Sequence, residues 1–175
     1  MKGYTMYAKS TGMEIKATSK VSEEKAEGKA TTGKEGRIAL RFFTFGNGQE
    51  AQSLRFILNP LEAYAICLAS AQIARQGGKH TLVHKFQGDE GEITSTLTLE
   101  KWENQGKSGF AYSLKRGEAK AVNVPMDMTA FLYVGELMKS LSVEQAWSSY
   151  KETGSDGETA TAAAASSGSA GPVKK

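Results

Sequence analysis

A strand that runs directly into a helix occurs twice in this chain. Residues 52–58 are typical of a strand, in which Arg55 alternates with Leu54, Phe56 and Leu58, and Asn59-Pro60 then supplies a helix start. Residues 119–127 repeat that order before a second apolar helix, which extends to Leu141. Strand-like segments precede each unit, so the chain contains two copies of one plan. Few folds use such a plan, which makes the repeat the strongest constraint on the fold.

Alternating hydrophobicity and turn residues predict four strands before each helix. The predicted strands cover residues 4–9, 13–18, 37–45, 53–58, 81–86, 93–102, 110–115 and 120–124. Turns are expected at 10–12, 46–48, 88–91, 104–109 and 116–118, where glycine and small polar residues cluster. The predicted fold class is therefore α+β, with the order ββββα-ββββα.

The first helix carries clear start and stop signals. Asn59 can cap it, Pro60 suits its first position, and Glu62 can reach back to the cap. Gly77-Gly78 ends it. The apolar residues that recur at helical spacing are Leu61, Tyr64, Leu68 and Ala71.

The second helix is apolar on more than one side. Its apolar residues are Met128, Phe131, Leu132, Val134, Leu137, Met138 and Leu141. This is too many for one narrow stripe, so we expect the helices to pack on the sheets and also on neighbouring subunits.

Length and composition favour one folded domain. The chain has 175 residues with 39% hydrophobic content, which is enough for a core. We expect the domain at residues 1–150, with a mobile loop or hairpin extension at 22–36 and a disordered Gly/Ser/Ala-rich tail at 151–175. The net charge of +3 permits an anionic partner without requiring one.

Cysteine content and hydropathy indicate the compartment. Cys67 is the only cysteine, which excludes an internal disulfide and favours a reducing compartment. No apolar run approaches the roughly 18–20 residues that cross a bilayer, so no membrane association is expected. The expected localisation is cytoplasmic and nucleoid-associated, in a prokaryote, an archaeon or a virus-infected host.

The strand at 37–45 carries the most informative pattern. Ile38, Leu40 and Phe42 point to one face, whereas arginines and phenylalanines alternate onto the other. Guanidinium groups neutralise phosphates, and exposed rings offer flat surfaces on which bases stack. A sheet that is buried on both faces is the alternative interpretation. Other strands add similar pairs of basic and aromatic residues. The candidate nucleic-acid-binding residues are Arg37, Arg41, Phe43, Phe45, Arg55, Lys85, Trp102, Tyr112 and Lys115.

The residues give little support for catalysis. His80 and His84 are four apart on a strand, which separates them by about 13 Å. No acidic or thiol group near them has the spacing of a metal site. Cys67 lies among apolar helix residues, as an inert core thiol would. We therefore expect a protein without enzymatic activity, cofactor or metal.

The ordered set of segments resembles the Whirly family of single-stranded DNA-binding proteins. The resemblance covers about residues 4–141 and rests on residues 4–7, 55–62, 96–101, 109–114 and 123–125. Residues 9–15 differ from the Lys-Gly-Lys-Ala-Ala-Leu stretch of that family, which helps it to form higher assemblies. The resemblance implies a homotetramer whose helices form a central core and whose sheets splay like blades. Single-stranded DNA would lie along the sheets.

The lead hypothesis is a sequence-tolerant single-stranded DNA-binding protein that protects exposed strands in replication, recombination or repair. Two alternatives remain open. The first is an RNA-binding or transcription-cofactor protein, like the positive-cofactor-four family, which has one strands-plus-helix unit per subunit. The second is a non-enzymatic oligomeric scaffold whose exposed rings bind protein.

Overall fold

Two antiparallel sheets, each followed by a helix, build the protein. The computed structural model describes residues 3–26, 29–46, 51–88 and 91–153. The first sheet contains β1 (Gly3–Tyr7), β2 (Thr11–Ala26), β3 (Lys29–Thr44) and β4 (Ser53–Leu58), paired in that order, and α1 (Pro60–Gln76) follows. The second sheet contains β5 (Lys79–Gly88), β6 (Gly91–Asn104), β7 (Lys107–Arg116) and β8 (Val122–Met126), and α2 (Met128–Trp147) follows. The predicted order ββββα-ββββα is confirmed.

A ninth strand, which the sequence does not predict, joins the first sheet. The predicted disordered tail at 151–175 is therefore wrong for residues 151–153, and residues 154–175 lie outside the described residues. β9 (Tyr150–Thr153) pairs with residues 31–34 of β3, whereas β4 pairs with residues 38–43 of the same strand. Residues 22–26 of β2 pair with residues 29–33 of β3, so the described part of the segment 22–36 forms the hairpin extension rather than the mobile loop. Gly36 anchors its end: it is buried, and a Cβ there would lie 2.1 Å from the carbonyl oxygen of Gln145 in α2.

Turn chemistry sets the other connections. The turn between β6 and β7 contains only Gln105 and Gly106, whereas the predicted turn covered residues 104–109. Both residues have positive φ, 49° and 75°. Two such residues form the tight turn that matches the twist of a hairpin. Of the predicted turn at 46–48, residues 47 and 48 lie outside the described residues. Pro125 lies within β8, an edge strand, where a missing N–H is tolerated.

Both helices begin with side-chain caps. The side chain of Asn59 accepts the amide of Glu62 at 2.8 Å, and the Glu62 carboxylate accepts the amide of Asn59 at 2.8 Å. The predicted capping box is thereby confirmed. Asp127 caps α2 by accepting the amide of Ala130 at 2.7 Å. No helix in the described part of the chain is both long and apolar enough to span a membrane.

The core lies between the sheets and the paired helices. Phe131 of α2 stacks on Phe110 at 4.8 Å and contacts Tyr112 at 5.3 Å. The two helices approach closely at Gly135, where a Cβ would lie 3.1 Å from that of Ser70. The buried side of α1 contains Ala63, Ile66, Cys67, Ala69, Ser70 and Ile73. This small-residue side lets α2 pack against it.

The apolar row of α1 lies outside the core. Leu61, Tyr64 and Leu68 are 77%, 40% and 57% exposed. On α2, Leu132 and Val143 are also exposed. A single protomer thus leaves an apolar helical surface open to solvent.

Candidate nucleic-acid interface

The outer face of the first sheet, which points away from the core, carries the candidate site. Along β3, Ile38, Leu40 and Phe42 are fully buried. Arg41 alternates with them and is exposed, and Phe43 is half-buried on the same outer side. The predicted division of this strand into an apolar and a cationic, aromatic face is present.

Three aromatic side chains form a ring cluster at one end of this face: Tyr7, Phe43 and Phe45. Their ring centroids are 5.8–6.0 Å apart. Tyr7 is 70% exposed and Phe45 39%. Phe43 lies over Gly12, its partner in the β2–β3 register, where a Cβ would come within 2.4 Å of the ring. The glycine therefore makes room for the ring to lie against the sheet.

An arginine pair, Arg41 and Arg55, lies next to the ring cluster. These residues face each other directly across β3 and β4. The Arg41 guanidinium lies 5.3 Å from the centre of the Phe43 ring, and its Nε donates to Ser53 Oγ at 3.2 Å. Glu14 lies 3.6 Å from Arg41 and 2.6 Å from Lys16, so one carboxylate serves two cations. Like charges directly opposite in a sheet destabilise it, and an anion between them would relieve that repulsion.

A cleft of about 520 Å³ opens between the two sheets beyond the arginine pair. We call it the intersheet cleft. The first sheet contributes Lys20, Arg37 and Arg55, and the second contributes Phe86 and Arg116. Among the described residues that line it there is no aspartate or glutamate. The cleft is therefore a cationic recess with apolar surface.

Most of these cations have no carboxylate partner. Arg37 forms an ion pair with Glu35 at the rim. The Arg116 guanidinium lies 4.6 Å from the centre of the Phe86 ring. Within the described ranges, Lys20, Arg55 and Arg116 form no ion pair. Three positive charges are thus available to a ligand.

The structure brings five of the nine predicted residues together. Arg37, Arg41, Phe43, Phe45 and Arg55 all lie on the outer face of the first sheet or in the intersheet cleft.

Three others lie on a different surface. The face of the second sheet that points away from the intersheet cleft carries Lys85, Trp102 and Lys115, as their register with β6 shows. Lys85 bonds Glu92 at 2.9 Å, which raises the pKa of its ammonium group. The Trp102 ring covers Gly109, and its N–H donates to the Phe110 carbonyl at 3.3 Å. The structure therefore does not bring these three residues together with the first-sheet residues in one protomer.

Tyr112 is wrong as a base-stacking residue. Its side chain is fully buried and its hydroxyl is 2.8 Å from Ser70 Oγ. Burial raises its pKa far above the ordinary value, and the Ser70 hydrogen bond offsets only part of that effect. Tyr112 belongs to the core because it alternates in phase with Phe110 and Leu114.

The nine candidate residues do not include four residues of the site: Tyr7, Lys20, Phe86 and Arg116. A sequence signal exists for two of them. Phe86 alternates in phase with Leu82, and Arg116 with Leu114, so both share the inner face of the second sheet. That this inner face meets the first sheet at a cleft depends on packing between the sheets.

His84 and Cys67 are held by neighbouring residues of the fold. His84 stacks on Phe56 at 4.2 Å and lies 2.8 Å from the Glu62 carboxylate. Cys67 is buried, which raises the pKa of its thiol. In the described part of the chain, no three His, Cys, Asp or Glu residues group as a metal site requires.

The fold resembles solved structures. WHY3 from Arabidopsis thaliana aligns with a TM-score of 0.57 and 18% identity, over 85% of this chain and 90% of that one. The plant transcriptional regulator PBF-2 aligns at 0.57 and 15%, over 84% and 82%. WHY1 from Arabidopsis thaliana aligns at 0.54 and 13%, over 84% and 86%. No protein-family model and no curated protein matches the chain. The Whirly-like fold expected from the sequence is confirmed.

Proposed function

We propose that the protein binds single-stranded DNA without strong sequence preference and protects exposed strands in replication, recombination or repair. The observation that carries this proposal is one exposed sheet face on which the ring cluster lies directly beside the arginine pair. Rings stack on any base, and guanidinium groups contact any phosphate, so the combination favours single strands over a particular sequence.

The arrangement suits an extended strand in particular. In a duplex, the bases are stacked inside and their faces are closed to protein side chains, whereas a single strand can offer them to rings. The three rings of the cluster are tilted or edge-on to one another rather than stacked face to face. Their faces can therefore each receive a base. The cations of the arginine pair then lie within reach of the backbone.

We further propose that the exposed helical surface assembles four copies. Leu61 and Leu68 of α1, with Leu132 and Val143 of α2, are apolar and exposed in one protomer. Burial of apolar area of this kind is the main driving force for association. An assembly through the helices would leave the sheet faces free for nucleic acid.

A second candidate role is in transcription. One structure with the same fold is described as a plant transcriptional regulator. The same sheet face would serve there, with single-stranded DNA or RNA as its ligand. Comparison of DNA and RNA strands of equal sequence distinguishes these roles.

The test is fluorescence anisotropy of a labelled strand of about 30 nucleotides, titrated with the protein. Unlabelled single-stranded DNA, duplex DNA and RNA serve as competitors. We expect displacement by single-stranded DNA and not by duplex. Displacement by RNA would favour RNA metabolism. Absence of binding at low salt, where electrostatic attraction is strongest, would contradict the proposal and favour a protein partner.

The double variant Phe43→Ala, Phe45→Ala tests whether the outer face of the first sheet binds the strand. Stacking contributes about 1–3 kcal/mol per base, so two lost platforms should weaken binding at least tenfold. Trp102→Ala on the opposite face of the second sheet is the control and should retain wild-type affinity. Thermal unfolding of both variants checks that the fold is intact. Unchanged affinity in the double variant would reject this face.

A further inference from the structure

We propose that the intersheet cleft holds the terminal phosphate of a nucleotide, at the end of a bound strand. This inference rests on the proposed function, because the strand on the adjacent sheet face brings its end to the cleft. The chemical class of ligand is a nucleotide phosphomonoester. It differs from the phosphodiester of a strand interior in both charge and geometry.

The cleft is large enough for one nucleotide, and core residues form its floor. Its lining reaches Phe56 and Ser95, which are only 2% and 3% exposed and belong to the interior. The recess therefore ends against the core. Its volume of about 520 Å³ falls in the range of sites that enclose small ligands.

The charge of the cleft favours a dianion. Arg55 on β4, Arg116 on β7 and Lys20 on β2 line it without carboxylate partners in the described part of the chain. A phosphomonoester carries about −1.5 to −2 at pH 7 and has three acceptor oxygens. A phosphodiester carries a single negative charge. Cations that converge from two sheets therefore discriminate in favour of a terminal phosphate.

The rings of Phe86 and His84 form an apolar wall of the cleft that can contact the sugar or base of the nucleotide. The Phe86 ring is held by the Arg116 guanidinium at 4.6 Å. The His84 ring is fixed against Phe56 at 4.2 Å and by the Glu62 carboxylate at 2.8 Å. Two rings held in place give a sugar or base a preorganised surface.

The position of the cleft connects it to the proposed strand path. Along β3, Phe43 of the ring cluster and Arg37 at the cleft are six residues apart, about 20 Å in an extended strand. Arg41 and Arg55 lie between them in the register. A strand that stacks on the ring cluster and follows the arginine pair reaches the cleft with its next nucleotides.

The experiment compares two strands of equal sequence, one with a 5′-phosphate and one with a 5′-hydroxyl, both labelled at the 3′ end. We expect the phosphorylated strand to bind about tenfold more tightly, which corresponds to a difference of about 1.4 kcal/mol in binding free energy. A strand with a 3′-phosphate and a 5′ label tests the other end in the same way. Equal affinities for all strands would overturn the inference while leaving single-strand binding intact.

A pair of adjacent variants provides the control. Arg116 lines the cleft, whereas Lys115 beside it projects from the opposite face of the second sheet. Arg116→Gln and Lys115→Gln remove the same charge from the same strand. The preference for the phosphorylated strand should disappear in Arg116→Gln and persist in Lys115→Gln. A preference that persists in both variants would overturn the assignment to the cleft.

Titration calorimetry with thymidine 5′-monophosphate, thymidine and inorganic phosphate separates this inference from the proposed function. If neither strand binds, heat from the monophosphate that Arg116→Gln abolishes would support the cleft as a free-nucleotide site. Absence of that heat, with no strand binding, would overturn both. Binding of inorganic phosphate as tight as that of the monophosphate would overturn the nucleotide assignment.

Discussion

Salt dependence separates the roles of the cations and the rings on the first sheet. Each phosphate contact on a single strand contributes about −0.7 to the slope of log affinity against log salt concentration. A ring that stacks on a base releases no counterion and should leave that slope unchanged. Arg55→Gln and the double variant Phe43→Ala, Phe45→Ala therefore weaken binding in distinguishable ways.

The magnitude follows from the charges in the structure. Lys20, Arg55 and Arg116 have no carboxylate partner in the described ranges, whereas Arg37 is paired with Glu35. Arg41 shares Glu14 with Lys16, so we count it as a fourth cation that can contact a phosphate. Four contacts predict a slope of about −2.8, or about a 50-fold loss of affinity between 50 and 200 mM salt. Removal of Arg55 makes the slope less steep, at about −2.1. The loss of affinity between 50 and 200 mM salt then falls to about 18-fold.

The assay is anisotropy of a labelled strand of about 10 nucleotides, short enough to occupy one protomer. Titrations at five salt concentrations give the slope for the wild type and each variant. Lys115→Gln serves as the charge-matched control, since Lys115 lies on the far face of the second sheet. It should change neither the affinity nor the slope.

Two results would refute this reasoning. If Arg55→Gln weakened binding with an unchanged slope, Arg55 would support the fold of the site rather than contact phosphate. If the ring variant reduced the slope as much as Arg55→Gln does, the rings and cations would act as one unit. The separation of stacking from phosphate neutralisation would then fail.

Three further variants test the fold that carries the site. Gly36→Ala should lower the free energy of unfolding by about 1–3 kcal/mol in a denaturant melt, because the new Cβ meets the backbone of α2 at Gln145. Leu68→Glu should reduce the mass measured by light scattering, since it charges the exposed helical surface that we propose to assemble; an unchanged mass would exclude this part of the surface. The raised pKa of Tyr112 means that stability is fully present below about pH 10, the ordinary tyrosine value, and falls as pH rises above it. Tyr112→Phe should lessen that alkaline loss, and Ser70 keeps its hydrogen bond to the Ile66 carbonyl at 2.9 Å.

Local signals in the sequence predict the repeated fold because each element has its own. Asn59, Pro60 and Glu62 define the start of α1 by capping chemistry alone. The segment 22–36 has few apolar residues, so alternation could not extend β2 and β3 through it. Its strands are held by the long register between them and by the fit of Gly36 against α2. β9 depends on the same extension and has no local signal.

The sequence likewise predicts one part of the candidate site and not the other. Strand alternation places Arg41 and Phe43 on one face of β3, because a single strand contains that information. It does not say which face of the second sheet meets the first. Lys85 and Lys115 are therefore plausible from charge alone, yet their neighbours Phe86 and Arg116 line the intersheet cleft. Packing between two sheets decides this, and it involves residues far apart in the chain.

The arginine pair shows how stability and binding place opposite demands on this face. Arg41 and Arg55 face each other in the register, and like charges in that position destabilise a sheet. Glu14 lies near Arg41 but is shared with Lys16, so it relieves only part of the repulsion. A phosphate between the two guanidinium groups would turn that repulsion into two attractions. A polyanion that binds this face would therefore stabilise the folded state, which would link nucleic-acid binding to the stability of the first sheet.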